Sequence, residues 1–209
     1  MKNVLILGQG AREHAIGWKL YQEDGVGLYF GPGNVGTSEI GSNLEFLDLD
    51  DPELSHSIRR VCRQQQIDLV TVTREDLLAK GLVDDLTRSG IVAFGPTRNA
   101  SRIESSKMWA NLFLDLYQIP HAKGLEYSRV VDEFVLPPYF RVVKADGLAR
   151  GKGVKIANSS SDVKSVVAQL RLEQPAAASE ILIQEFLEGQ EVSIQAFSDG
   201  REIIILPLA

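Results

Sequence analysis

The stretch "NVLILGQGAREHAI", residues 3–16, joins an apolar run to a glycine-rich turn and then to a helical pattern. Residues 3–8 are typical of a fully buried strand, and Ala11, Ala15 and Trp18 recur after it at helical spacing. A strand, a tight turn and a helix in this order form the first half of a crossover unit. Such units build parallel sheets.

The same alternation continues through the first hundred residues. Further strands are predicted at 27–30, 67–73 and 91–94. The intervening helices are predicted to begin at Asp51-Pro52, with Leu54, Ile58 and Val61 buried, and to run past Leu78, Leu82 and Leu86 to Gly90. This part is therefore expected to be α/β with a parallel sheet. Its ligands should lie at the carboxyl ends of the strands, where the segments "GQGAREH", "GPGN", "TRED" and "GPT" are found.

The second half has a different pattern, which predicts an antiparallel or mixed sheet. A helix at 100–117, with Ile103, Leu112 and Leu116 on its buried side, leads into this half. Strands are predicted at 139–144, 154–157 and 181–187, with a helix after Asp162 and a hairpin turning at Asp199-Gly200.

Composition excludes several classes of protein. The chain has 209 residues and a net charge of -6, which argues against a general surface for nucleic acid or anionic membranes. No apolar run is long enough for a membrane span, and the N-terminal segment does not resemble a signal peptide. We therefore expect a cytoplasmic protein. Its one cysteine, Cys62, is predicted to be a packed or half-exposed bystander and not a catalytic thiol.

The first glycine-rich turn favours a phosphate over a dinucleotide. The dinucleotide fingerprint requires a third glycine where this chain has Glu13, and the second predicted strand runs into Gly31 instead of ending in an acid. What remains is a helix N-terminus that suits a phosphate, with Arg12 adding a charge. The alternative is a tight turn that binds no ligand, and the segment "GPGN" is open to the same two interpretations. His14 is either an acid–base residue or a positioning residue.

The segment "KADGLARGKGV", residues 144–154, combines two lysines with three glycines between two predicted strands. It lacks the Gly-Lys-Ser/Thr of a Walker A loop. A hairpin that folds over a polyphosphate explains it best, and an ordinary glycine-rich hairpin is the alternative. In "IQEFLEGQE", residues 183–191, the backbone could meet an adenine edge and a carboxylate could hold a ribose, although Glu185 and Glu191 could equally be surface charges. His56 and His121 are taken as surface residues, and no Cys/His spacing indicates zinc.

In their order, the motifs "LGQGAREHAI", "PGNVGT", "FGPTRNASRIESSK", "KADGLARGKGV" and "QEFLEGQEVS" resemble the phosphoribosylamine–glycine ligase family of the ATP-grasp superfamily. The resemblance implies an ATP-dependent carboxylate–amine ligase of purine biosynthesis that forms glycyl phosphate, which phosphoribosylamine then attacks. It implies ATP, glycine and phosphoribosylamine as substrates, magnesium or manganese as the metal, and no nucleic-acid or membrane partner.

The resemblance also implies the role of individual residues. Lys144 and Lys152 would be catalytic. The ATP-binding residues would be Lys107, Lys144, Gly147, Gly151, Lys152, Gly153, Glu185, Leu187 and Glu191. The sugar and its phosphate would contact Gly8, Gly10, Arg12, Gly33, Asn34 and Glu75. No metal ligand is expected in this chain, because the family's metal-binding elements follow later in its sequence.

The implied organisation is a Rossmann-like, pre-ATP-grasp domain at 1–100, a connecting helix and linker at 101–120, and an ATP-grasp lid subdomain of mixed α+β structure at 121–187. Residues 188–209 would start the central ATP-grasp domain. On this basis the chain is expected to be an incomplete N-terminal part, inactive alone, with an uncovered last strand through which copies could associate.

One motif departs from the family. The pattern "GPE-x-PL" is here "TREDLL", so that Thr73 and Arg74 stand in place of Gly and Pro, and Leu77 in place of the second Pro. Two alternatives therefore stay open: another ATP-grasp carboxylate–amine ligase, and a non-catalytic module that binds a nucleotide or metabolite.

Overall fold

The computed structural model describes residues 2–129, 136–149 and 151–208. The elements of its first half are β1 (Lys2–Gly8), α1 (Ala11–Tyr21), β2 (Val26–Pro32), β3 (Ser42–Asn43), α2 (Leu54–Gln64), β4 (Leu69–Val72), α3 (Glu75–Lys80), α4 (Leu82–Arg88) and β5 (Ala93–Phe94). The strands form one parallel sheet in the order β3-β2-β1-β4-β5. The predicted parallel α/β fold is confirmed; the two-residue strand β3 was not predicted.

Both faces of this sheet are buried, which explains why β1 is apolar throughout. Leu5 and Leu7 pack on the side of α2, α3 and α4, whereas Val4 and Ile6 pack on the side of α1. Gly17 of α1 lies so close to the sheet that an added Cβ would be 2.4 Å from Cζ of Phe30. The inward face of α1 is therefore the line of Glu13, Gly17 and their neighbours, and Trp18 is exposed.

Two helices of this half differ from the sequence prediction. α2 begins at Leu54 and not at Pro52, because the Asp51 carboxylate accepts a hydrogen bond from the backbone N–H of Glu53 in a turn that precedes the helix. The single helix predicted past Leu78 is two helices, α3 and α4, which are broken at Gly81 with φ of +88°. A left-handed residue interrupts the helical hydrogen-bond ladder, and glycine adopts this conformation without steric cost.

The second half contains α5 (Arg102–Ser105), α6 (Lys107–Leu116), β6 (Gly124–Glu126), β7 (Phe140–Ala145), β8 (Val154–Ile156), α7 (Val163–Glu173), β9 (Ile181–Glu185), β10 (Ala196–Ser198) and β11 (Ile203–Ile205). Four of these strands form an antiparallel sheet in the order β6-β9-β7-β8. The predicted antiparallel character is confirmed. β10 and β11 pair only with each other among the described residues.

The two faces of the antiparallel sheet are covered differently. Val143 and Ala145 of β7 pack with α7 in a buried core. Lys144, between them, points to the opposite face, because side chains alternate along a strand. On that opposite face Gln184 of β9 donates a hydrogen bond of 3.1 Å to the Asn111 side chain of α6. The face that carries Lys144 thus combines polar side chains with apolar ones such as the buried Leu182.

The long helix predicted at 100–117 was wrong in two respects. It is divided at Ser106, which has extended φ and ψ, and the side chains predicted to be buried are exposed: Ile103 by 52%, Leu112 by 64% and Leu116 by 75%. The polar Asn111 points inward instead, because it meets Gln184 of the sheet. The spacing of apolar residues predicted helical structure correctly, but the side of the helix that packs on the sheet is the one that carries Asn111.

The C-terminal hairpin is confirmed as a pair, but its strands are shorter than predicted. The carboxylate of Asp199 accepts hydrogen bonds from the backbone N–H groups of Arg201 and Glu202, which shape the turn. The side chains of β11 are exposed in this structure. Within the described part of the chain, no helix has the length and apolarity needed to cross a membrane.

Candidate functional site

The turn between β1 and α1 is built over a buried carboxylate. Glu13 is 6% exposed, and its Oε2 accepts a hydrogen bond of 2.7 Å from the backbone N–H of Gly10. Its other oxygen, Oε1, accepts from the hydroxyl of Thr73 at 2.5 Å. A Cβ on Gly8 would lie 2.5 Å from Cδ of Glu13, so that this turn requires glycine where the carboxylate passes beneath it.

This arrangement refines the prediction for the first loop. The sequence suggested that Gly10 and its neighbours offer their N–H groups to a phosphate. The N–H of Gly10 is already occupied by Glu13. The N–H groups that follow it in the first turn of α1, beginning with Ala11, have no intrahelical acceptor and keep the ability to bind an anion.

A second loop is joined to the first. The N–H of Gly33 donates to the carbonyl of Gly8 at 3.2 Å, and the side-chain amide of Asn34 donates to the carbonyl of Gln9 at 2.9 Å. Gly33 has φ of +83°, and a Cβ there would lie 2.2 Å from Oδ1 of Asn43. The structure therefore brings together Gly8, Gly33 and Asn34, which the resemblance assigned to one ligand.

Arg12 lies beside the same turn but is not free. Its Nη1 donates to the carbonyl of Thr73 and to Oε1 of Glu75, each at 2.9 Å. Glu75 raises the pKa of Arg12. The pKa of Glu75 is lowered, first by its own backbone N–H and then by Arg12, against the opposing effect of burial. Two residues that the resemblance assigned to the sugar and its phosphate thus form one exposed ion pair.

Arg74 forms a more buried ion network at the end of β4. Its Nε donates to Oδ1 of Asp76 at 2.9 Å, and its Nη2 donates to Oδ2 of the same carboxylate at 2.5 Å. Nη2 also donates to Oδ1 of Asp50 at 3.1 Å. The side chain of Arg74 is 25% exposed. The carboxylate hydrogen bond of Asp76 raises the pKa of Arg74, although burial opposes the effect.

A cleft of about 780 Å³ connects the carboxyl ends of the parallel strands with the loop between β7 and β8. It contains five of the residues that the sequence assigned to a ligand: Gly10, Glu75, Lys107, Gly151 and Gly153. The remaining lining residues are Gln9, Glu13, Asp50, Arg74, Asp76, Glu104, Leu148, Ala149 and Val154. The two predicted sites, one for a sugar phosphate and one for a polyphosphate, therefore face the same space.

Lys107 lines the nucleotide side of this cleft, and its positive charge acts on Lys144 of β7. The Nζ of Lys107 lies 3.4 Å from the carbonyl of Asp146 and 3.3 Å from that of Gly147. Burial lowers the pKa of Lys144, and the positive charge of Lys107 lowers it further. Like charges held together at a partly buried position favour an anion between them, because the anion would relieve both effects.

The loop between β7 and β8 is anchored at its base. The N–H of Ala145 donates to the carbonyl of Gly153 at 2.7 Å, and the N–H of Gly147 donates to that of Ala177 at 3.0 Å. Gly151 has φ of +79° with open space around it. Lys152 is exposed. Arg150, which belongs to the same loop, lies outside the described residues.

The carboxylate of Asp146 has a structural role that the sequence did not reveal. It accepts hydrogen bonds from the backbone N–H of Met108 at 2.7 Å and from the Ser106 hydroxyl at 3.0 Å. Asp146 thus holds the N-terminus of α6, including Lys107, against the end of β7. Neither Asp146, nor Glu13, nor Thr73 was predicted as a site residue. The Met108–Asp146 and Thr73–Glu13 contacts join residues 38 and 60 positions apart in sequence, so no local pattern identifies these two contacts.

The segment after β9 lies apart from the cleft. The N–H of Glu185 donates to the carbonyl of Lys123 at 3.0 Å, and its carboxylate accepts from the N–H of Lys123 at 2.8 Å. Leu187 is 64% exposed, and Glu191 is exposed. Among the described residues no hydrogen-bond partner is found for the N–H of Leu187, which keeps it available to a ligand.

Three single residues complete the comparison with the sequence. Cys62 is buried, which is the first of the two predicted alternatives, and burial raises the pKa of its thiol to about 11. His14 lies against Gly36, where an added Cβ would be 2.5 Å from its Cε1. The assignment of His121 to the surface was wrong: its side chain is only 8% exposed, and its Nδ1 lies 2.8 Å from the carbonyl of Ile119.

Two protein-family models match the chain. The model for "Phosphoribosylglycinamide synthetase, N domain" matches residues 2–104. The model for "Phosphoribosylglycinamide synthetase, ATP-grasp (A) domain" matches residues 105–209. Together they cover the two halves that the fold distinguishes by their parallel and antiparallel sheets.

Curated proteins with similar sequences carry related names. The phosphoribosylamine–glycine ligase of Rhodopirellula baltica is 39% identical over 219 residues, covering 99% of this chain and 49% of the relative. The human trifunctional purine biosynthetic protein adenosine-3 is 39% identical over 195 residues, covering 89% of this chain and 19% of the relative. The chain thus spans about half the length of the first relative and about a fifth of the second.

Solved structures show the same similarity in three dimensions. The phosphoribosylamine–glycine ligase of Thermotoga maritima superposes with a TM-score of 0.72 at 29% identity, covering 99% of this chain and 49% of that one. The D-alanine–D-alanine ligase of Bacillus anthracis superposes with a TM-score of 0.66 at 15% identity, covering 100% of this chain and 64% of that one. The latter similarity concerns the fold alone.

Proposed function

The chain belongs to the phosphoribosylglycinamide synthetase family, and on that premise we propose that it serves the ATP-dependent joining of glycine to phosphoribosylamine. The observation that supports this most directly is the shared cleft, in which the loop at Gly10 and the loop at Gly153 face one space. Ligation of two small molecules by ATP requires the nucleotide and the acceptor to be held side by side.

On the nucleotide side, we assign the phosphates to Lys107, Lys144 and the glycine-rich loop. Activation of a carboxylate places charge on the γ-phosphate, and fixed cations in a site of low water content stabilise that charge. Lys144 suits this role because its ammonium is partly buried and lies near Lys107. Lys152, which is exposed in the free protein, would join them when the loop closes.

The rest of the nucleotide would extend toward the segment after β9. There the N–H of Leu187, which has no partner among the described residues, and the carbonyl of Glu185 are suited to an adenine edge, and Glu191 to ribose hydroxyls. A divalent metal ion belongs to the proposal, because it would stabilise the negative charge that develops on the phosphates. Among the described residues, no group of three or more His, Cys, Asp or Glu side chains is placed to hold one.

On the acceptor side, we assign the sugar phosphate to the N-terminus of α1, with Arg12 beside it. The hydrogen bond from Gly33 to Gly8 and the side chain of Asn34 fix the two loops relative to each other. Glu75 orients Arg12 through their ion pair.

Binding of a fluorescent ATP analogue to three lysine variants tests the nucleotide site. Lys107→Ala and Lys144→Ala should each weaken binding by about 10-fold or more, the loss of one charge-assisted contact. Lys155→Ala is the matched control: Lys155 also lies in the antiparallel sheet, but its ammonium pairs with Glu173 of α7, away from the cleft. Equal binding by Lys144→Ala and the unaltered chain would refute the assignment.

A related ligase with a different amine substrate is the second candidate. The observation that favours it is Thr73, whose hydroxyl contacts both Glu13 and the carbonyl of Leu7 and fills space next to the sugar loop. Adding an unmutated C-terminal half from a relative and measuring ADP release with glycine and a panel of amines separates the two candidates. Release that depends on phosphoribosylamine supports the first, and release that depends on another amine supports the second.

A further inference from the structure

At the edge of the cleft, Arg74 has N–H donors that no described residue accepts from. A guanidinium carries five N–H groups. In this structure one on Nε and two on Nη2 are used by Asp76 and Asp50, and no partner of Nη1 is found in the described part of the chain. Arg74 lines the cleft and is 25% exposed. Two N–H groups of a partly buried cation are therefore free next to the acceptor loop.

The ion network also holds Arg74 rigidly. Asp76 binds it in the bidentate, fork-to-fork manner, and Asp50 binds it from a separate loop. Such geometry fixes the plane of the guanidinium before a ligand arrives, which reduces the entropy lost on binding.

Cationic side chains are few in the described lining of the cleft, and Arg74 is one of them. The described lining contains five carboxylates but only two cationic side chains, Arg74 and Lys107. Lys107 lies at the nucleotide loop, so Arg74 is the cation on the side of the parallel strands. Arg12 approaches the same segment, 73–75, by binding the Thr73 carbonyl and Glu75. The two guanidinium groups thus flank one short stretch of backbone.

From this geometry we propose that Arg74 is a specificity-determining residue that donates through Nη1 to an anionic group of the acceptor substrate, of the sugar-phosphate class. The inference rests on the proposed function of the cleft and extends it to a residue that stands where the family pattern has proline. Asp76 and Asp50 are the positioning residues for this contact, and Arg12 is its neighbour on the other side of the segment 73–75.

Titration of the full chain with ribose 5-phosphate, followed by calorimetry and by amide NMR shifts at residues 8–13, tests the contact. The variants are Arg74→Ala and Arg74→Lys, and the matched control is Arg88→Ala, an exposed arginine paired with Asp85 outside the cleft. Arg74→Ala should weaken binding by about 10-fold or more, the effect of losing a charge-assisted hydrogen bond. Arg74→Lys should recover less than a third of that loss, because an ammonium keeps the charge but not the fork.

The outcomes separate this inference from the function on which it rests. If the unaltered chain binds ribose 5-phosphate and Arg74→Ala binds equally well, the inference is wrong and the proposed function stands. Full recovery by Arg74→Lys also overturns it, since a general charge effect would then suffice. If the unaltered chain does not bind ribose 5-phosphate, the acceptor assignment fails together with the inference. An unchanged unfolding midpoint in Arg74→Lys shows that its binding reflects the contact and not the fold.

Discussion

Replacement of Glu13 tests how the first loop is held in place. Its carboxylate accepts from Gly10 and Thr73 at 2.7 and 2.5 Å and is 6% exposed. Glu13→Ala removes both acceptors. A hydrogen bond to a charged group contributes about 1.5–3 kcal/mol, but water can reach the exposed Gly10 and replace part of one bond. We therefore expect the free energy of unfolding to fall by about 2 kcal/mol.

Glu13→Gln is the matched control, because an amide can satisfy the same partners. Its oxygen can accept from Gly10 while its nitrogen donates to the Thr73 hydroxyl, which then donates to the Leu7 carbonyl 3.2 Å away. The cost should stay below about 1 kcal/mol. Thr73→Val leaves one carboxylate oxygen without its partner and should cost about 1–2 kcal/mol. The double variant Glu13→Ala/Thr73→Val should cost less than the sum of the two single changes, by about 1 kcal/mol.

Urea unfolding measures these differences. Trp18 reports on the first half of the chain if Trp109 is replaced by Phe in every variant. With a slope of about 2 kcal/mol per M, Glu13→Ala should lower the midpoint by about 1 M. A Glu13→Gln variant as unstable as Glu13→Ala, or strictly additive costs in the double variant, would refute the reasoning, since either result means that these hydrogen bonds do not hold the loop.

Three further predictions concern single residues. Gly8→Ala should destabilise the chain by more than about 2 kcal/mol in the same urea assay, because φ is +143° and the new Cβ meets Glu13. Gly25→Ala is the control: its φ is +79° with open space around it, and it should cost only about 1 kcal/mol. Asp146→Ala should lower stability by about 1–2 kcal/mol in a thermal melt, because α6 loses the acceptor for Met108, and a cost no larger than that of Asp199→Ala would contradict this. The pKa of Lys144 is lowered in the folded state, so the unfolded chain binds more protons between that lowered pKa and 10.5. The free energy of unfolding should therefore rise with pH in this range. Lys144→Met should reduce the rise, and an unchanged pH profile in this variant would contradict the assignment.

The sequence determined the elements whose cause is local. The apolar run of β1 is buried on both faces, so its assignment required no knowledge of its neighbours. The stripe of Leu54, Ile58 and Val61 likewise marks α2 by period alone. The resemblance to the family, and not a local pattern, predicted Gly8 and Gly33 as site residues; both positions require glycine, because an added Cβ would meet Glu13 or Asn43.

Tertiary structure decided everything that depends on partners distant in the chain. Leu112 and Leu116 have the spacing of a buried face, yet Asn111 turns inward because Gln184 of a later strand meets it. The N–H of Gly10 is unavailable to a ligand because it donates to the Glu13 carboxylate, which the hydroxyl of the distant Thr73 holds in place. Local sequence specifies backbone conformation and burial tendency, whereas hydrogen bonds between side chains form only where the fold brings distant strands and helices together.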